Sequence, residues 1–299
     1  KTIYNNNIGT LNLMFAMRDY APEASMIKLG TMGEYGSPLT GRPLFEGLFP
    51  GDAVLQHGDD EWSLGGDLVT RDPVSFYHVS KVQGTFTMYE SCKYWWLRGI
   101  DVMQGVVYGL HTPELMTDPS LNTRFDIDEW WGTVINRFVA QAVVGAPLTI
   151  FGSGNQIRGY ITVADAMQCM IRLLASPPEP GQYEVVNQVT DVLSVRELAQ
   201  TVARIGRDEF DLTPTIQRIE NPRVEAEEHP YEVIHEKLEK DFGFSSQSNV
   251  EDEIRYMFKR LMEPSSRELI EASRDTLFPK TLWSGGEKTL EVVEADLDY

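Results

Sequence analysis

Residues 75–109 read SFYHVSKVQGTFTMYESCKYWWLRGIDVMQGVVYG. A serine opens a long stretch with helical spacing over 75–98, a strand over 100–103 follows, and Gln104-Gly105-Val106-Val107-Tyr108-Gly109 closes it. Helix, then strand, then glycine-bearing loop is the rhythm of an open α/β sheet. On the helix Tyr77 and Lys81 stand four residues apart and share one face. An ammonium beside a phenol stabilises the phenolate and lowers the tyrosine pKa, which suits proton transfer. Spacing alone also fits an ordinary solvent-facing helix.

The surroundings repeat the rhythm. Residues 6–20 place Ile8, Leu11, Met14 and Phe15 at helical spacing, and the run 26–29 reads as a buried strand ending in Gly30-Thr31. Residues 36–73 are rich in Gly, Pro and Asp, which predicts a long irregular excursion with one hairpin; loops of that length are usually functional. Further on, the pattern predicts a helix over 132–144, a strand over 148–151 closed by Gly152-Ser153-Gly154, a helix over 163–175 and a strand over 183–186. Ser194 and Glu197 form the sequence signature of a capping box. The alternation predicts a mainly parallel, doubly wound sheet with ligands at the carboxyl ends of the strands. Thr31, Gln104 and the Arg158 region are the polar residues expected at those ends.

Composition narrows the partners. The chain has 299 residues with 42% hydrophobic and 24% charged, enough for a substantial core. The net charge of -19 opposes nucleic acid and anionic membranes, so an anionic substrate must be held by a few local arginines. No apolar stretch approaches the ~20 residues of a membrane span, so no membrane insertion is expected. Cys92 and Cys169 suit a reducing, cytoplasmic setting, and the histidines form no metal-ligand spacing.

With Gly30-Thr31 upstream, Tyr77-x-x-x-Lys81 on the helix and Gln104–Gly109 after the next strand, the chain resembles the extended short-chain dehydrogenases of the NAD-dependent epimerase/dehydratase family. Asn6-Asn7-Ile8-Gly9-Thr10 is similar to that family's fourth-helix motif. The resemblance implies a Rossmann-type fold with NAD as cofactor, held by Tyr77, Lys81, Gln104 and Val107. It also implies a nucleotide-binding part over 1–108 and a mostly C-terminal substrate domain over 109–299, with 159–190 returning to the first. The family's Gly-x-x-Gly-x-x-Gly is absent, so about 90 residues, three strand–helix steps of roughly 30, are expected ahead of Lys1. This stretch alone would hold NAD poorly.

Leu148-Thr149-Ile150-Phe151-Gly152 and Gln156-Ile157-Arg158-Gly159-Tyr160 resemble the family's nucleotide-sugar segment. That implies substrate contacts at Thr149, Phe151, Gln156 and Arg158, joined by Asn136 and Arg137. Family members that eliminate water carry Thr-Asp-Glu where this chain has Thr31-Met32-Gly33. Thr31-Met32-Gly33-Glu34-Tyr35-Gly36 and Asn221-Pro222-Arg223-Val224-Glu225-Ala226-Glu227-Glu228-His229 instead resemble the members that join sulfite to UDP-glucose. By that resemblance Tyr77, Lys81 and Thr31 act at the sugar C4, and Gln104, Arg223 and Glu225 touch substrate. Met32 forms an apolar wall, and Glu34 or His78 moves the C5 proton. His78, one residue past Tyr77, is expected to point about 100° away from it. A helix-paired homodimer is expected on the same ground.

Overall fold

The computed structural model describes residues 2–36, 41–73, 75–121, 125–128, 132–221 and 231–278. Helix α1 (Thr2–Tyr20) leads to strand β1 (Ser25–Leu29), and a hairpin of β2 (Val54–His57) and β3 (Asp60–Ser63) stands in the long excursion. Helix α2 (Phe76–Trp95) and strand β4 (Arg98–Gln104) come next, followed by β5 (Val106–Tyr108), α3 (Pro113–Thr117) and α4 (Val134–Val143). Then come β6 (Leu148–Phe151), β7 (Ile157–Thr162), α5 (Val163–Ala175), β8 (Tyr183–Gln188), β9 (Asp191–Ser194) and α6 (Val195–Phe210). Strand β10 (Ile216–Ile219) and helices α7 (Lys237–Lys240), α8 (Val250–Leu261) and α9 (Pro264–Ala272) complete the order.

Two units of internal contact result: residues 1–105, 167–189 and 229–245 in one, residues 106–166, 190–228 and 246–299 in the other. In the first, β1, β4 and β8 form a parallel sheet with β4 central. Ile100, Val102 and Met103 of β4 are buried, as a strand covered on both faces requires. Ser75 caps α2 by accepting from the His78 N–H, and Trp96, with φ 57, stops it so that the chain can turn into β4. Asn6 Nδ2 donates to Ser80 Oγ over 2.9 Å and ties α1 to α2. Met14, Met17, Met88, Leu97 and Val185 close this core.

The second unit holds two small sheets. β7 pairs parallel with β5 and antiparallel with β9, and β6 pairs parallel with β10. Phe138, Leu198, Val202, Met257 and Phe258 fill the space between α4, α6 and α8. The Ser194–Glu197 capping box forms, with each side chain on the other's backbone N–H. Ser194→Ala should cost ~1 kcal/mol, read as a lower midpoint in chemical denaturation with an unchanged slope.

The α/β class with a parallel sheet read from the alternation, and the Rossmann type implied by the resemblance, are what is observed. Three details differ. The strand after α2 starts at Arg98, two residues earlier than the sequence predicts, because backbone pairing with β1 continues past the first buried side chain. Arg158 lies inside β7 rather than beyond a strand end. The chain returns to the first unit over 167–189 and again over 229–245.

Candidate active site

Thr31 lies two residues past the end of β1, in extended backbone at φ -157, and its hydroxyl accepts from the Gly33 N–H at 3.3 Å. This bond opens a short 3-10 turn, Met32–Glu34. Tyr77 lies in the first turn of α2 and is 45% exposed. Lys81 Nζ donates to the Leu29 carbonyl at 2.8 Å, so it clamps the end of β1, and stands 5.6 Å from the centre of the Tyr77 ring. The expected lowering of the Tyr77 pKa is not what this arrangement gives. Burial first, and Glu34 second whenever it is ionised, push the phenol up. Burial first, and Lys28 second, push Lys81 down. The Lys81 ammonium is turned to a backbone carbonyl rather than to the phenolic oxygen, which is why it does not offset desolvation.

His78 does not simply point away. Its Nδ1 lies 2.9 Å from Ser75 Oγ, and a methyl group built on Gly33 would fall 2.3 Å from its Nε2. The imidazole therefore rests on the turn that begins at Thr31. Its ring also meets the Tyr77 ring edge-on, with centroids 5.2 Å apart.

Beneath that turn is a cluster the sequence pattern hid. Lys28, Glu34, Thr85, Asp101 and Tyr183 are all buried. Lys28 Nζ reaches Thr85 Oγ1 and Asp101 Oδ1, both at 2.9 Å, and Glu34 Oε1 at 3.4 Å. Thr85 Oγ1 lies 2.8 Å from Glu34 Oε2, and the Tyr183 hydroxyl donates to Asp101 Oδ2 at 3.1 Å. Glu34 is 0% exposed, so the carboxylate expected to reach substrate is enclosed instead. Met32 is buried in the apolar core. Gln104 is half-buried, and its Nε2 donates to Gln188 Oε1 at 2.7 Å. Lys28, inside the apolar run 26–29, was the signal in the sequence: a lysine there needs anions of its own.

In the second unit, Val107 sits half-buried on β5. Asn136 Oδ1 accepts from the Gly109 N–H at 3.0 Å, while Glu253 Oε1 accepts from Leu110 and His111 at 2.6 and 2.9 Å. α4 and α8 thus fix the backbone that follows β5, and sequence reasoning missed Glu253. Arg137 is buried on α4. Thr149 is buried, its N–H given to Gln141 Oε1 at 3.2 Å and its hydroxyl accepting from Gln141 Nε2 at 2.9 Å. Phe151 ends β6, and Gln156 Nε2 donates to its carbonyl at 3.3 Å. Arg158 Nη1 donates to the Ile157 carbonyl at 2.8 Å. Arg223 and Glu225 lie outside the described residues.

A dinucleotide cofactor can be tested against the first unit. Among the described residues no group hydrogen-bonds the Tyr77 hydroxyl, and Lys81 has given one of its three ammonium protons to Leu29. A phenol and an ammonium with protons to spare, on one helix face beside a strand end, fit the ribose hydroxyls of NAD.

Comparison with known proteins agrees. Residues 1–187 match the NAD dependent epimerase/dehydratase family. The chain is 37% identical over 282 residues to the UDP-sulfoquinovose synthase of Sulfolobus acidocaldarius, covering 94% of this chain and 68% of that protein. It is 41% identical over 237 residues to the chloroplastic UDP-sulfoquinovose synthase of Spinacia oleracea, covering 79% of this chain but only 47% of that protein. Among solved structures, UDP-glucuronic acid 4-epimerase from Bacillus cereus, in complex with UDP-glucuronic acid and NAD, matches with a TM-score of 0.63 at 18% identity, over 87% of this chain and 68% of that one. The dTDP-glucose 4,6-dehydratase from Bacillus anthracis, in complex with NAD, matches with a TM-score of 0.62 at 17% identity, over 88% and 69%. These two likenesses speak for the fold. By its sequence, its fold and its Thr31–Tyr77–Lys81 set, the chain belongs to the NAD dependent epimerase/dehydratase family.

Proposed function

We propose that the protein carrying this chain is a UDP-sulfoquinovose synthase, converting UDP-glucose and sulfite to UDP-sulfoquinovose with NAD recycled. Identity of 37% and 41% to two such enzymes carries the reading. Met32-Gly33, standing where dehydratases of the family hold an acid pair, supports it.

Tyr77 takes the proton of the sugar 4-hydroxyl as hydride leaves C4, and Thr31 donates to the developing 4-ketone. Bound NAD supplies the hydride acceptor and gives the hydride back at the end. Lys81 holds the cofactor ribose. The ketone acidifies C5, and His78 removes that proton, imidazole being the side chain best suited to proton transfer near neutral pH. Loss of the C6 hydroxyl as water leaves a double bond between C5 and C6. Bisulfite then adds through its sulfur lone pair at C6, its own proton passing to C5 in place of the one that left with water, and Tyr77 reprotonates O4 as hydride returns to C4. Buried Met32, in the turn after Thr31, keeps water out of that turn. In the second unit Arg158 and Arg137 are the cations for the diphosphate, with Phe151 and Gln156 toward the base; Arg223 and Glu225 remain candidates by resemblance.

Helices α1 and α2 leave Ile8, Leu11, Phe15 and Phe86 exposed, which supports a helix-paired homodimer. No helix among the described residues is long and apolar enough to cross a membrane.

The test is whether the full-length protein, given UDP-glucose, NAD and sulfite, forms a sulfonated UDP-hexose by mass spectrometry. UDP-galactose or a free 4-keto sugar, with sulfite ignored, would contradict the reading. Gly33→Ala probes His78 separately: the added methyl must displace the imidazole. Turnover should fall on the order of 100-fold, the effect of misplacing a reacting group by about 1 Å, with the melting temperature nearly unchanged.

A further inference from the structure

Thr85 is the pivot of the buried cluster, and its chemistry decides where the protons sit. Its Oγ1 lies 2.9 Å from Lys28 Nζ, 2.8 Å from Glu34 Oε2 and 2.5 Å from Asp101 Oδ2. A threonine hydroxyl has one proton to give and two lone pairs to accept with. An ammonium only donates, so Lys28 occupies one lone pair. The hydroxyl proton satisfies one carboxylate. The other carboxylate faces the remaining lone pair and must bring a proton of its own, or two oxygens would meet with none between them.

The neighbours decide which carboxylate that is. Lys28 Nζ donates to both Asp101 oxygens, at 2.9 and 3.1 Å, and the Tyr183 hydroxyl donates at 3.1 Å. Asp101 is therefore the anion, held by donors on every side. Glu34 has one long contact to Lys28, at 3.4 Å. Arg71 attracts it without bonding to it, the weakest of the influences on Glu34: its Nη1 donates to the Val69 carbonyl, and its guanidinium lies over the Tyr35 ring at 4.4 Å. A second buried anion beside the Lys28–Asp101 pair would stand without a hydrogen-bonded cation of its own.

We propose that Glu34 carries its proton at neutral pH, donates it to Thr85, and serves as a neutral positioning residue beneath the Thr31 turn rather than as the base that moves a substrate proton. Only the last clause rests on the proposed reaction. The cluster touches the turn directly: a methyl group on Gly30 would fall 2.7 Å from Asp101 Oδ1 and 3.0 Å from Glu34 Oε1. The charged and titratable groups facing Glu34 are Lys28 from β1, Tyr35 beside it, Asp101 from β4, Tyr183 from β8, Tyr77 and Lys81 from α2, and Arg71 from the loop before α2. Burial, ahead of the attraction of Lys28, pushes the Glu34 carboxyl up, as does the repulsion from Asp101. The proton matters for function because an ionised Glu34 would hold the protons on Tyr77 and Lys81 more tightly. Keeping Glu34 neutral leaves Tyr77 the stronger acid.

Glu34→Gln in the full-length protein tests this, because an amide presents one donor to Thr85 and one acceptor to Lys28, as the protonated acid does. Turnover should change by less than about tenfold, the scale of one hydrogen bond, with an unshifted pH profile. A loss on the order of 100-fold or more would make Glu34 a proton-transfer group and overturn the proposal. Melting temperature against pH reads the proton without any activity. A carboxyl that keeps its proton in the folded state, but loses it above about 4.3 when unfolded, contributes fully below that value. Its contribution is then lost as pH rises through the folded value. Glutamine has no such loss, so parent and variant should melt alike near pH 4.3 and the variant should melt increasingly higher as pH rises. A gap that widens in favour of the parent would mean an ionised Glu34 and would overturn the proposal. This readout stands even if the protein ignores sulfite, so failure of the proposed reaction and failure of the protonated acid remain distinguishable.

Discussion

Tyr77→Phe removes turnover while leaving UDP-glucose binding in place. The substitution deletes one hydroxyl from a ring that is 45% exposed and meets His78 edge-on, so the packing is kept. The stability change should stay within about 0.5 kcal/mol, as for exposed positions without special contacts. In the proposed mechanism the hydroxyl that is lost takes the O4 proton, and a positioned acid–base group is worth roughly 100- to 10,000-fold in rate. Steady-state turnover should therefore fall by that factor, while calorimetric titration with UDP-glucose gives nearly the parental affinity. Unchanged turnover would exclude Tyr77 as the base. Absence of turnover in the parent, with intact UDP-glucose binding, would leave a nucleotide-sugar-binding regulator.

Lys28→Ala should be the most destabilising single change in the first unit. Lys28 is 7% exposed and Asp101 is 0% exposed, and their contact at 2.9 Å is the only ion pair Asp101 makes among the described residues. Removing one partner of a buried pair leaves the other uncompensated, at a cost of ~3–5 kcal/mol. Chemical denaturation should show that loss directly. Because Lys28 also bonds Thr85 and Glu34, the variant should lose activity at temperatures where the parent is fully folded. A loss under about 1 kcal/mol, the value of an exposed pair, would mean that water reaches the cluster and that its protons are not fixed as described.

The sequence revealed the parts of this molecule that repeat in one dimension. Helical and strand periodicity marked α2, β1, β6, α5 and α6, and the capping box marked the start of α6 to the residue. The order Thr31, Tyr77, Lys81 was legible because each lies at a fixed place on a predicted element. Contacts that join distant residues were not legible. Thr85 and Asp101 meet Lys28 across 57 and 73 residues, and Glu253 reaches Leu110 across 143. Nothing local in the sequence distinguishes those carboxylates from surface ones. The same reason explains Thr149 and Glu34. Thr149 is sealed by Gln141, on the helix that precedes its strand, and Glu34 by Thr85, on the far side of α2. His78 reached the Thr31 turn because its imidazole leans on Gly33, which a helical wheel of α2 alone does not contain.

The central claim is that sulfur is joined to C6 of a UDP-hexose oxidised transiently at C4. The most direct measurement uses the full-length protein with UDP-glucose carrying carbon-13 at C6, sulfite and a catalytic amount of NAD, followed by carbon NMR of the product. The labelled carbon should move from an alcohol to a sulfonate environment, only when sulfite is present, with NAD unchanged at the end. A C6 signal that stays an alcohol, with inversion at C4, or that becomes a methyl group beside a 4-ketone, would contradict it.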